Sequence, residues 1–246
     1  MKNKEINEAR AFYYGFFSKL FTFTYDKNRF SGVKESAEIL YDYALEENSK
    51  NALKHFIENF DEQKLADEFD EIFYDLSQDP VPTTASFYDE EIENGKMKVK
   101  MVNIVLSSKF RKNEEYKDSE DDIGFIFPFM QHLILEKLKG DDKSEWLENK
   151  TFDILNTFID DFIENVYMHQ ASNLYKDIAV LLKAFIESER IFLEKPKPLI
   201  EKIKKEECKV CIADEEAARR KRNKQKKNEE LLSCNLEEGG DVEDEV

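Results

Sequence analysis

The chain has 246 residues, with 37 Lys and Arg against 54 Asp and Glu and a formal net charge of −17. That length suffices for one sizeable core. The acidic balance disfavours nucleic acid, which selects a basic footprint, and favours a cationic partner. Seven Gly and five Pro are too few for a turn-rich β-sandwich or barrel, and no Gly-rich phosphate loop of the GxGxxG or GxxxxGK type occurs.

In chain order, Ile6, Ala9, Tyr13, Phe16, Phe17 and Leu20 recur at helical spacing and predict an N-terminal helix with one apolar face. Further helices are predicted over 33–46, 49–60, 62–77, 86–108 and 121–138. The stretch MKVKMVNIVL at 97–106 alternates like a strand, but nothing nearby offers a second one. Asp142 and Glu145 have the capping-box spacing that starts a helix over 143–166. Its stripe is Phe152, Leu155, Phe158, Ile159, Phe162, Ile163 and Val166. Leu174, Ile178, Leu181, Leu182, Phe185 and Ile186 form the last stripe, which ends before Pro196. The expected fold is all-α: one globular domain of about eight or nine helices over 1–195. A charged tail follows over 196–246, with 13 basic and 6 acidic residues at 195–227, then 8 acidic and no basic residues at 229–246. Such a composition reads as a partly disordered tail.

The N-terminus lacks the apolar run of a secretory signal. The longest apolar stretch, at 123–130, falls far short of the roughly 20 residues that span a bilayer. The three cysteines all lie beyond residue 207 and build no disulfide framework for the body. The expectation is a cytoplasmic protein without stable membrane insertion.

Catalytic chemistry is hard to find. His55, His132 and His169 are scattered, and no Glu-x-x-His occurs. His55 with Glu58, and His132 with Glu136, read as ordinary helix-surface pairs. Cys208 and Cys211 form a CxxC, the single metal candidate, but zinc takes four ligands and a fourth partner is missing. The sequence therefore predicts no enzyme and no cofactor. The loop SQDPVPTTAS at 77–86 differs in kind: two prolines, several hydroxyls and no basic charge. Such a segment either turns a corner or presents a surface.

From residue 69 the string becomes specific. FDEIFYDLSQDPVPTTASFYDEE, then Gly95, then SEDDIGFIFPFMQHLI, resembles the TorD/DmsD/NarJ-type redox-enzyme maturation chaperones. Phe69 and Phe73 stand at the helix-end aromatics of that family. Pro80, Pro82, Ser86 and Tyr88 stand in its Pro-containing Ser-x-Tyr loop, and Asp121, Ile123 and Phe129 at its second motif. FIDDFIENVYMHQASNLYKDIAVLLKAFIESER looks like its last helix pair. One departure is clear: where the family has a histidine after the paired aspartates this chain has Asp122, or Ile123 on an alignment shifted by one residue, and neither is histidine. The same letters also have a local reading, since Ser86 with Asp89 and Ser119 with Asp122 match the capping-box spacing.

The resemblance implies an assembly chaperone without catalytic activity. Its partners would be the twin-arginine leader peptide and the apo-molybdoenzyme precursor of formate dehydrogenase or dimethyl sulfoxide/trimethylamine N-oxide reductase type. The lean is toward formate dehydrogenase, because of the Cys-bearing tail. It also implies that Pro82, Ser86, Tyr88, Asp121 and Asp122 line the leader groove. The alternative is a helical adaptor for another cytoplasmic protein, unrelated to export. Oligomeric state is left open.

Overall fold

The computed structural model describes residues 2–26, 28–113 and 116–198. The expected tail beyond 198, with Cys208 and Cys211, lies outside the described residues. Among these residues are nine α-helices and no strand: α1 (Lys2–Phe21), α2 (Val33–Asp42), α3 (Glu47–Asn59), α4 (Glu62–Phe73), α5 (Ala85–Glu90), α6 (Lys96–Ser107), α7 (Ile123–Leu138), α8 (Asp142–Met168) and α9 (Leu174–Phe192). The segment 97–106 that alternates like a strand is α6, whose Met97, Met101 and Val105 give it a helical buried stripe.

The long helices α1, α7, α8 and α9 form the body. Every member of the stripes predicted on the last two is buried. On α1 the predicted stripe is buried from Tyr13 to Leu20, and its first turns depart from expectation: Ile6 and Ala9 are exposed, and Asn7 and Arg10 are buried. Arg10 tolerates burial because Glu148 of α8 and Glu189 of α9 both accept hydrogen bonds from its guanidinium, as does Asn7. Tyr14 donates to the same Glu189 at 2.8 Å, and Lys137 reaches Glu148 at 3.0 Å.

The centre of the core is aromatic. The Phe21 ring meets Phe73, Phe127, Phe162 and Tyr175 at centroid distances of 6.0, 5.7, 5.4 and 5.8 Å. Helix α7 is apolar nearly all round and buried accordingly. It carries Pro128, which has no N–H to give to the carbonyl of Gly124 four residues earlier. The Thr22 hydroxyl donates to that freed carbonyl at 2.7 Å. A Cβ on Gly124 would lie 2.7 Å from the Phe21 carbonyl oxygen, so the end of α1 packs against the start of α7 only because residue 124 is glycine.

The helix expected over 86–108 is two helices. Between them, Glu91 and Asn94 adopt left-handed backbone (φ 56° and 60°), which ends α5. The Glu90 carboxylate then accepts from the Lys96 N–H at 3.0 Å as α6 begins. Helix α8 starts one residue ahead of the expected cap: Asp141 is its N-cap, and Ser144 donates to the Asp141 carboxylate at 2.6 Å.

Candidate functional site

Two prolines hold residues 80–84 extended between α4 and α5. The Val81 N–H donates to the Ile72 carbonyl at 2.8 Å, which ties the segment back to α4. Its far end pairs with the chain just before α7. Ile123 N–H donates to Thr83 O and Ala85 N–H to Asp121 O, both at 2.9 Å, around an antiparallel bridge between Thr84 and Asp122. The Pro-containing loop and the Asp-Asp motif, nearly forty residues apart in sequence, therefore form one unit.

Asp121 holds this junction together. It is completely buried, and one carboxylate oxygen accepts from both the Ser86 N–H (2.9 Å) and the Ser86 hydroxyl (2.5 Å). The other oxygen accepts from the Ser119 hydroxyl at 2.5 Å. Ser86 also accepts from the Lys98 N–H at 3.1 Å, so the junction reaches the first turn of α6. The local capping reading of Ser86 gives way here: it sits inside α5, and its hydroxyl serves Asp121 instead.

Asp122 caps α7, accepting from the Gly124 N–H at 2.7 Å, while its second oxygen accepts from the Thr83 hydroxyl at 2.5 Å. Burial pushes its carboxyl up to about 7, against the pull of the Thr83 and Gly124 hydrogen bonds, with Asp118 and Asp121 adding to the rise. Burial likewise raises Asp118. Tyr88 stacks on Phe158 of α8 at 5.4 Å, donates to the Pro82 carbonyl at 2.9 Å and accepts from Asn165 at 3.3 Å. Burial holds its hydroxyl well above the ordinary phenol range.

Above this frame lies an open cleft of about 610 Å³. Its apolar wall includes Tyr74, Leu76, Pro80, Pro82 and Phe87; Leu76 is 88% exposed, Tyr74 48% and Phe87 38%. The carboxylates of Glu93, Asp118 and Asp122 share the lining with Lys98 and Lys117. All five residues expected at the groove thus meet in one place, but with different positions. Pro82 and Asp122 line the cleft; Asp121, Ser86 and Tyr88 stand behind it and fix its shape. Leu76, Phe87, Glu93 and Asp118 join it without having been singled out in the sequence. No local pattern marks them, because the cleft is assembled from α4, the Pro-containing loop, α5 and the chain before α7, which only the fold brings together.

The arrangement offers an apolar strip beside carboxylates, suited to a peptide with cationic and apolar parts. The features together define an all-helical protein built around a Pro-containing loop clamped to the capped start of a buried helix. The chain belongs to the nitrate reductase delta subunit family, whose model matches residues 42–187 and which comprises the NarJ/TorD-type redox-enzyme maturation chaperones. It is also similar to the crystal structure of a proposed redox enzyme maturation protein from Archaeoglobus fulgidus, at 21% identity and a TM-score of 0.48 over 76% of this chain and 94% of that one. No curated protein matches the chain. No described helix is long and apolar enough to cross a membrane.

Proposed function

We propose that the protein is a cytoplasmic assembly chaperone that binds the twin-arginine leader of an exported molybdoenzyme precursor until its cofactor is inserted. The observation that carries this reading is the cleft between the Pro-containing loop and the start of α7. There an exposed apolar wall stands beside Glu93, Asp118 and Asp122. A leader of this kind has an arginine pair followed by an apolar stretch. In the proposed mode the apolar stretch lies along Tyr74, Leu76 and Phe87, and the guanidinium groups meet the carboxylates. Asp121, Ser86 and Tyr88 act from behind by fixing the distance between wall and carboxylates. The net charge of −17 speeds encounter with a cationic leader.

The client is of formate dehydrogenase or dimethyl sulfoxide/trimethylamine N-oxide reductase type in this proposal. A tagged pull-down from cells making such enzymes, read by mass spectrometry, names it: one precursor with its leader uncut is expected. A recovered partner that bears no leader would overturn the export role in favour of a helical adaptor. Arg forks onto carboxylates in a bidentate way that Lys does not reproduce. Titration of the full chain with synthetic leaders is therefore expected to give about tenfold tighter binding for Arg-Arg than for Lys-Lys. Equal affinities would remove the carboxylate contact from the mechanism.

A further inference from the structure

Charge is unevenly spread along the chain. Residues 96–109 hold four lysines and no carboxylate, in a chain of net charge −17. They include α6, whose two ends fix its course over α8. In its first turn the Lys98 N–H donates to Ser86 of α5, and Tyr88 of α5 stacks on Phe158 of α8. At its last turn the Ser107 carbonyl accepts from Lys143, at the start of α8, at 2.6 Å. Helices α6 and α8 therefore run antiparallel.

One face of α6 is buried through Met97, Met101 and Val105. Its opposite face carries Val99 and Leu106, two turns apart and each more than half exposed. Trp146, the single tryptophan of the chain, is also more than half exposed. By helical spacing it shares with Lys143 and Lys150 the edge of α8 that the Lys143 contact turns toward α6. The neighbouring cations divide into two kinds. Lys96 is neutralised by Asp89 and Glu90 at 3.0 and 3.5 Å, and Lys109 by Asp141 at 2.7 Å, while Lys98 belongs to the leader cleft. Lys100, in contrast, touches only the Met97 sulfur at 3.6 Å, Lys143 only a carbonyl, and Lys150 forms no ion pair among the described residues. The carboxylates of the same stretch of α8 are engaged. Glu145 and Glu148 meet Lys137, Asp153 meets Lys195, and Asp142 sits in the first turn, at the positive end of the helix dipole.

Exposed apolar side chains at helical spacing, bordered by lysines without counter-charge, are complementary to a helix whose apolar stripe is bordered by carboxylates. We propose that the outer face of α6, with the Trp146 edge of α8, docks an acidic amphipathic helix of a partner protein. The partner's stripe lies on Val99, Leu106 and Trp146, and its carboxylates meet Lys100, Lys143 and Lys150. None of these six residues lines the leader cleft. Val99 to Leu106 spans about 10 Å, so the contact is short and the complex belongs to the weak, exchanging class. A bilayer also suits lysines beside a tryptophan. Its anionic surface is a plane, however, and the rest of a chain of net charge −17 repels it, whereas a helix meets the basic strip alone.

The test is photo-cross-linking of the full-length chain in its native cells, with p-benzoylphenylalanine in place of Leu106 and the joined peptides sequenced by mass spectrometry. One partner is expected, joined through a segment whose apolar positions recur at helical spacing between acidic residues. The same probe in place of Ile39, exposed on α2, is expected not to give this product. Lys100→Glu with Lys150→Glu, both at exposed positions, is expected to cut the yield about tenfold, and Lys100→Arg with Lys150→Arg to preserve it. A product joined through a basic or neutral segment, a lipid adduct, a product within this chain or no product at all would overturn the proposal. So would a yield that the two glutamates leave unchanged, or the same product from position 39. Titration of the double-glutamate variant with a twin-arginine leader is expected to match the wild type, which keeps this result separate from the fate of the chaperone reading.

Discussion

The two adjacent aspartates show how one side-chain type takes two roles through its surroundings alone. Asp121 accepts three hydrogen bonds from Ser86 and Ser119 and is wholly enclosed. Asp122 reaches the cleft, and its carboxyl titrates near 7. An unfolded aspartate titrates near about 4, so between about pH 4 and 7 the folded chain binds more protons than the unfolded one. The stability that Asp122 contributes is therefore complete below that window and falls as pH rises through about 7. Asp122→Asn retains a capping oxygen and lacks the titration, so its urea midpoint is expected to decline less between pH 5 and 8 than that of the wild type. A guanidinium in the cleft favours the ionised form. On the leader-binding proposal, affinity is expected to rise over the same pH range in the wild type and to stay level in the variant. Parallel profiles for the two proteins would mean that Asp122 is not the titrating group.

At the scale of elements, regular periodicity was legible in the sequence and contacts between distant elements were not. The stripes of α8 and α9 lie where the spacing puts them, because a long helix with a uniform apolar face has one way to bury it. The break between α5 and α6 escaped, because the local tendency to helix continues through Glu91–Asn94 while the need to place Ser86 under Asp121 comes from elsewhere in the fold. The pairing of His55 was missed for the same reason: its partner at 2.6 Å is Asp177 on α9, not Glu58 one turn away. The cap of α9 is a third case. No side chain of the N-cap residue serves it; the Glu68 carboxylate of α4 accepts from the N–H groups of Asn173, Leu174 and Tyr175 at 3.0, 3.1 and 3.1 Å. A carboxylate there satisfies three otherwise unpaired donors and faces the positive end of the helix dipole. Glu68→Ala is expected to cost about 1–2 kcal/mol by chemical denaturation, the range of a lost cap. Glu68→Gln, which keeps an acceptor but loses the charge, is expected to fall between the two. A loss confined to a few tenths of a kcal/mol would show that water replaces the carboxylate without penalty.

At the scale of the whole molecule, the ends of the described chain are joined through a buried ionic cluster. Arg10 of α1 meets Glu148 of α8 and Glu189 of α9, and Lys137 of α7 meets Glu148, so the four long helices share one set of charges. Polar positions on α1 read as a solvent face in the sequence, and only the distant carboxylates make Arg10 a core residue. The cluster balances two cations against two carboxylates, so it adds nothing to the net charge of the core. A hydrophobic set of similar volume would be as stabilising or more so. What the charges supply is mutual dependence, since removal of one partner leaves the others buried and uncompensated. Arg10→Met is accordingly expected to cost about 3–5 kcal/mol. Adding Glu189→Gln to it should recover part of that loss, because the neutral amide no longer carries an isolated charge in the core. Such recovery distinguishes an ionic origin from lost packing of the long Arg10 side chain over Phe192, 4.1 Å from the ring centroid, which the second substitution would not restore. Because α1 and α9 are both anchored in this cluster, loss of Arg10 is expected to lower the protection of both helices together in native-state hydrogen exchange. Protection lost from α1 alone would show that the four helices do not unfold as one unit.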